Sequence, residues 1–162
     1  MPAPIIDGLI TFIAQQLNIS VWDGEVPRYD VNGNPINPTS IVAPKDWPVV
    51  RVTMPESGFS RTWTTEDPYT DEGDVTIQVW ATGRSAAETQ MNSIEALLAQ
   101  AINWSQIPLT GGSSDNPYYV IQLLLKSWTS VQLEGERTAS GELLYRCDLN
   151  YSCMIHGAIS TA

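Results

Sequence analysis

The chain has 162 residues, 43% of them hydrophobic, and a formal charge of −10 from 18 acidic against 8 basic side chains. That length suits one domain, residues 1–162, with a hydrophobic core of its own, and the composition excludes a low-complexity disordered chain. An acidic surface repels phosphate, so it argues against specific nucleic-acid binding, although it lets a polyanion slide past without adhering.

Met1 to Pro4 carries no basic residue ahead of the first apolar ones. The longest apolar runs fall far short of the ~20 residues of a membrane span. The expectation is a soluble subunit with no membrane partner. A first helix is predicted from about Pro4 to Leu17, where Ile6, Leu9, Ile10, Ile13 and Leu17 recur at helical spacing. Pro4 suits its first turn and Asn18 its exit. Val21 and Trp22 begin a short strand. A Pro/Asn-rich loop insertion then occupies about 27–46, with no surviving apolar period. Such a loop is either functional or a tolerated insertion.

Alternation predicts strands over Pro48–Met54, Phe59–Thr65 and Val75–Trp80. Between the last two, Glu66 to Asp74 reads as an acidic loop. A second helix follows, with Ser85-Ala86-Ala87-Glu88 as a capping box. Ala87, Met91, Ile94, Leu98, Ala101 and Ile102 form its apolar stripe, and the end is predicted near Asn103. Trp104 to Pro117 reads as a loop. Its Gly111-Gly112-Ser113-Ser114 lacks the Lys and the following helix of a phosphate-binding loop. Tyr118–Leu133 and Glu142–Ile155 read as the arms of a long C-terminal hairpin joined by Glu134–Gly141. The alternative is shorter strands broken by a bulge. In the last arm Leu143, Tyr145, Cys147, Leu149, Tyr151, Cys153 and Ile155 share one face. The fold class is therefore α+β: a mostly antiparallel sheet with two helices packed on one face and a long C-terminal hairpin.

Candidate chemistry is sparse. The one histidine, His156, lies three residues from Cys153, so in a strand the two point to opposite faces. Cys147 and Cys153 are roughly 20 Å apart along an extended strand, at ~3.3 Å per residue. A disulfide needs α-carbons within about 7 Å, so these two do not pair with each other. The dense carboxylates Glu66, Asp67, Asp71, Glu72 and Asp74 lack the ligand pattern of a calcium loop. They read as a solvated loop, a subunit contact or a lumen lining. Arg61 with Trp63, and Trp80 and Trp128 on mixed strand faces, are the aromatic and basic residues that interfaces favour. The alternative is that each tryptophan is covered within its own chain. No catalytic residue, metal site or cofactor is expected.

The junction Gln78-Val79-Trp80-Ala81-Thr82-Gly83-Arg84-Ser85-Ala86-Ala87-Glu88 runs an aromatic-bearing strand into a capped helix that ends in Ile94-Glu95-Ala96-Leu97-Leu98. With a helix before it and a hairpin after it, this order resembles the tail-terminator (tail-completion) proteins of long-tailed bacteriophages, from Ile5 to Ile155. The 27–46 insertion departs from the short members of that family. The resemblance implies a structural virion protein, assembled in the host cytoplasm into a homo-oligomeric ring, usually of six subunits. The ring sits on the end of the tail tube, stops its polymerisation and meets the head–neck connector. Genome DNA passes through the centre without specific binding, and the acidic stretch Glu66–Asp74 becomes a lumen or subunit-contact candidate. The rivals are another neck or head-closure subunit, the tail-tube subunit, a small hydrolase using the acidic stretch, and an acidic inhibitor of a basic partner.

Overall fold

The computed structural model describes residues 4–22, 26, 28–36, 47–54, 60–61, 70–109 and 118–156. Helix α1 spans Pro4–Leu17. It buries Ile5, Ile6, Leu9, Phe12 and Ile13 and exposes Asp7, as the apolar spacing requires. It stops at Asn18, whose φ of 52° is the left-handed conformation that Asn tolerates at a helix exit.

The strands described are β1 (Ser20–Trp22), β2 (Val49–Thr53), β3 (Ser60–Arg61), β4 (Thr70–Ala81), β5 (Tyr119–Trp128), β6 (Gln132–Arg137) and β7 (Leu143–His156). They form one mixed sheet with the order β1-β2-β4-β7-β5. Here β3 lies beyond β2 along β4, and β6 lies beyond β5 along β7. The β1–β2 pair is parallel and every other pair is antiparallel.

Helix α2 (Arg84–Ala99) and the short α3 (Ala101–Trp104) join α1 on one face. There Val50, Val52, Val75, Ile77, Val79, Cys147, Leu149, Tyr151 and Ile155 meet Ala87, Met91, Ile94 and Leu98. Alternation along β2, β4 and β7 puts these strand residues on that side. The α+β architecture with helices on a single face is thus the observed one.

Several local features differ from the sequence reading. Asp71 to Asp74 is strand, because β4 starts at Thr70 and its ladder with β7 runs unbroken from Thr70↔His156 to Ala81↔Tyr145. Helix α2 is capped by Gly83, with no side-chain cap, so Ser85 falls inside the first turn and the capping box does not form. The earlier start coincides with an anchor on Arg84, which donates to the Val131 carbonyl at 3.0 Å.

The α2 stripe also breaks sooner than expected. Gln100 turns extended, and the side chains of Asn103 and Trp104 donate back to the carbonyls of Leu97 and Leu98, both at 2.9 Å. Those two bonds satisfy carbonyls that a helix end leaves without partners. The first hairpin arm is two strands, β5 and β6, in line along β7.

The described part of the 27–46 insertion is a tight turn. The Asp30 carboxylate accepts from the amides of Asn32 and Asn34 at 2.8 Å each, and Gly33 takes φ 82°. Such Asx bonding is what a short polar side chain offers a turn. Tyr29 then exchanges backbone hydrogen bonds with Arg137 of β6, at 2.8 and 2.7 Å, so this segment is docked onto the sheet. Residues 37–46 and the Gly-rich 111–114 lie outside the described residues.

Candidate functional site: an open sheet edge and a bare polar face

The face away from the helices is lined by polar strand residues. Thr53, Met54, Asp74, Thr76, Gln78, Lys126, Ser127, Asp148 and Asn150 border a shallow concavity of about 510 Å³. Thr76 donates to the Asn150 amide oxygen at 2.8 Å, and the Asn150 amide nitrogen donates to Ser127 at 3.0 Å. Lys126 pairs with Asp74 at 3.0 Å. A face of this kind is tied together by its own cross-strand bonds.

Asp148 is the strained member. Its Oδ1 lies 3.3 Å from Arg146 Nε, within ion-pair reach but without hydrogen-bond alignment. Burial pushes its carboxyl above the ordinary range, and the Arg146 charge offsets only part of that. A folded-state pKa above the unfolded one means that the native state binds more protons in that window. Stability therefore falls as pH rises from the ordinary carboxylate range through the raised value. Asp148→Asn is expected to flatten this slope and to raise the melting temperature at neutral pH, which a melting series from acid to neutral pH measures.

At one end of the same face sits a second cluster. Trp80, Val26, Val49 and Leu144 are buried together, with Trp22 and Trp47 packed against them. Trp80 lies between two guanidinium groups, Arg28 at 4.9 Å and Arg146 at 5.4 Å from its ring centre. Arg28 also pairs with Glu136. The sequence candidate Trp80 is thus covered by its own chain, through the start of the insertion.

The other candidates are dispersed. Glu72 and Asp74 are on the bare face, with Arg51, Lys126 and Arg146 offsetting the carboxylates of Glu72, Asp74 and Asp148 there. Asp71 falls on the core side of β4 and is buried. The described helices carry Asp7, Glu88 and Glu95 against the single cation Arg84, so their charge is net acidic, whereas the named charges of the bare face balance. Glu66, Asp67 and Trp63 lie outside the described residues, and Arg61 is placed by its backbone in β3.

In a regular strand Trp128 would share a face with Gln122 and Lys126. Register shifts in β5 between Val120 and Gln122 and between Leu125 and Ser127 change the parity. Trp128 therefore pairs with core-facing Leu149, and its side chain is 59% exposed.

The feature that residue-by-residue reading missed is the edge itself. Among the described residues β5 pairs with β7 alone, leaving its outer backbone groups without a strand partner. Tyr119, Ile121, Leu124 and Trp128, with Leu133 of β6, are large apolar side chains exposed along this edge. Beside it, Glu95, Leu98, Ala99, Trp104, Leu123, Leu124, Leu125 and Tyr151 line an apolar pocket of about 240 Å³ between α2, α3 and β5. The Tyr151 hydroxyl, on a residue 3% exposed, has no hydrogen-bond partner among the described residues. Burial, with the neighbouring Glu95 charge second, holds it protonated well above the ordinary phenol range. The signal for such an edge is long-range, because it depends on which strand ends up outermost.

The thiols are part of the core. Cys147 and Cys153 are buried and unbridged on the helix side of β7. Burial first, then the charges of Asp148 and Glu88, pushes Cys147 up to about 11, and burial raises Cys153 further. Thiolate is the reactive form, so both cysteines are expected to resist an aromatic disulfide reagent at neutral pH and to react together once denaturant is added. Rapid labelling of the native protein would contradict this placement.

His156 stacks on Tyr119 with ring centres 4.7 Å apart, on the face opposite Cys153. Among the described residues no three His, Cys, Asp or Glu side chains converge as metal ligands, and no helix is long and apolar enough to cross a membrane. Comparison of the sequence with protein-family models and with curated proteins finds no match.

Proposed function

We propose that the chain is a non-enzymatic structural subunit of a phage virion, a tail terminator that forms a ring on the end of the tail tube. In this role it stops tube polymerisation and joins the tail to the head–neck connector. The observation that carries the reading is the β5 edge, open among the described residues, with its exposed Tyr119, Ile121, Leu124 and Trp128. An unpaired apolar edge is a template for pairing with another chain, and a soluble protein that keeps one uses it for assembly. The opposite side of the sheet ends in different strands, β1 and β3. Contact between two unlike edges is head-to-tail, and head-to-tail contacts close into rings when the rotation permits. The charge of −10 supports a ring through which DNA passes without adhering.

Light scattering over a range of concentrations, with electron-microscope images of the same sample, tests this. Closed rings are the expected result. Open filaments would move the chain to the tube, and a monomer at every concentration, with or without tail-tube ends as template, would overturn the ring.

A further inference from the structure

Strand β5 carries a knob and a hole of matching chemistry. The hole is the apolar pocket under α2 and α3, which Leu123 lines from the strand and Ala99 and Trp104 from the helices. The Tyr151 hydroxyl at its wall has no partner among the described residues, and the exposed Glu95 carboxylate stands at its rim. The knob is Trp128, 59% exposed at the other end of the same strand. Its side chain projects on the helix side, as that of its ladder partner Leu149 does.

The bulge at Lys126 makes the two self-complementary. In an antiparallel pair, directly opposed residues lie on the same face. Leu123 and Trp128 are five positions apart, so in a regular strand they would lie on opposite faces. The register shift between Leu125 and Ser127 puts both on the helix side, Leu123 opposite Cys153 and Trp128 opposite Leu149. The same shift puts Leu124 and Ser127 together on the bare face, opposite Ser152 and Asn150. Two copies of β5 related by a two-fold axis through the middle of Leu123–Trp128 therefore match face for face. Leu123 meets the partner's Trp128, and Leu124 meets the partner's Ser127. Charge permits the contact as well. In a chain of net charge −10, β5 has no carboxylate, and its one cation, Lys126, is paired with Asp74.

We propose that the free subunit is a two-fold dimer through β5, in which Trp128 of each copy fills the pocket of the other. Pairing of the two edges supplies the backbone hydrogen bonds that the outer side of β5 lacks among the described residues. The indole N–H is a donor, and both the Tyr151 oxygen and the Glu95 carboxylate accept. A tryptophan seated in a partner's pocket is the kind of residue that carries most of an interface's affinity. The contact is isologous, so it closes at two copies and does not propagate. Its consequence rests on the ring reading. The dimer covers the edge that the ring uses, so it holds the subunit out of the ring, and out of edge-to-edge aggregation, until it opens.

The test uses the full chain, with light scattering over a dilution series. Trp128→Ala removes the knob and Ala99→Phe fills the hole. Both positions are exposed, and melting curves confirm that each variant folds. Each is expected to raise the dimer dissociation constant about tenfold or more. The Leu124→Cys/Ser127→Cys variant reads the register. Those positions are roughly 10 Å apart along one strand, at ~3.3 Å per residue, too far to bridge within a copy. The native thiols are buried. Oxidised glutathione is therefore expected to give a dimer held by two bridges, and that dimer is expected to form no rings until it is reduced.

A dimer unchanged in both Trp128→Ala and Ala99→Phe would overturn the inference, as would a monomer at every concentration. Rings in the same samples would leave the ring reading standing. Rings assembled from the bridged dimer without reduction would overturn the competition between the two states. A dimer weakened by both variants, in a chain that forms no ring with or without tail-tube ends, would support the pairing while the ring reading fails.

Discussion

Replacing Trp80 by alanine is expected to destabilise the fold by about 3–5 kcal/mol, in the range for a buried tryptophan. The side chain is 3% exposed, yet it stands on the face of the sheet that has no helix. Its cover comes from Val26, Val49 and Leu144, and from Arg28 and Arg146 on the two sides of the ring. Truncation would leave a cavity among three apolar side chains and two cations without their ring. The indole nitrogen adds little, since its contact with Gln78 is 3.4 Å long. Arg28→Ala removes one stacked cation and the partner of Glu136, but leaves the ring in place. Its cost is expected to be smaller, about 1–2 kcal/mol. Denaturant midpoints for the two variants give both numbers. A Trp80→Ala loss below that of Arg28→Ala would mean that the ring contributes little to the packing of Val26, Val49 and Leu144 around it.

The same cluster shows where local sequence information ends. Helix α1 was legible to its boundaries, because its apolar residues, first-turn proline and exit asparagine all act within the segment. The helix-side face of β7 was legible for the same reason: alternation is a property of the strand itself. The acidic run Asp71–Asp74 looked like loop because Asp, Glu and Gly disfavour strands, but a ladder with β7 from Thr70 to Ala81 overrides that preference. The β5 bulges changed the face of Trp128, and nothing in the spacing of Gln122, Lys126 and Trp128 announces an inserted residue. Trp80 looked available for a partner because its cover comes from residues distant in the chain, Val26, Arg28, Val49, Leu144 and Arg146. Of the candidate residues, Glu72, Asp74 and Trp128 are accessible, whereas Asp71 and Trp80 are buried. The open edge needed the strand order, which no single segment encodes.

Gly8→Ala should lower stability by about 1–3 kcal/mol, the usual cost of forcing extra volume into a packed site. The sign is opposite to that expected from helix propensity, which favours alanine over glycine by about 1 kcal/mol in a helix interior. Gly8 lies within α1, where a Cβ would come 2.4 Å from the Pro108 carbonyl oxygen, 3.0 Å from Ile107 and 3.2 Å from Leu109. The nearest atom is backbone, so it cannot rotate aside as a side-chain tip would. Relief requires a shift of α1, with Leu9 and Phe12 in the core, or of residues 107–109, with buried Ile107. Gln15→Ala or Gln16→Ala, at exposed positions of the same helix, measures the propensity term without the clash. If Gly8→Ala instead matched those controls, residues 107–109 would have to yield at almost no cost. The stretch 107–109 that leaves α3 would then be adaptable, and its packing against α1 would not fix the position of that helix.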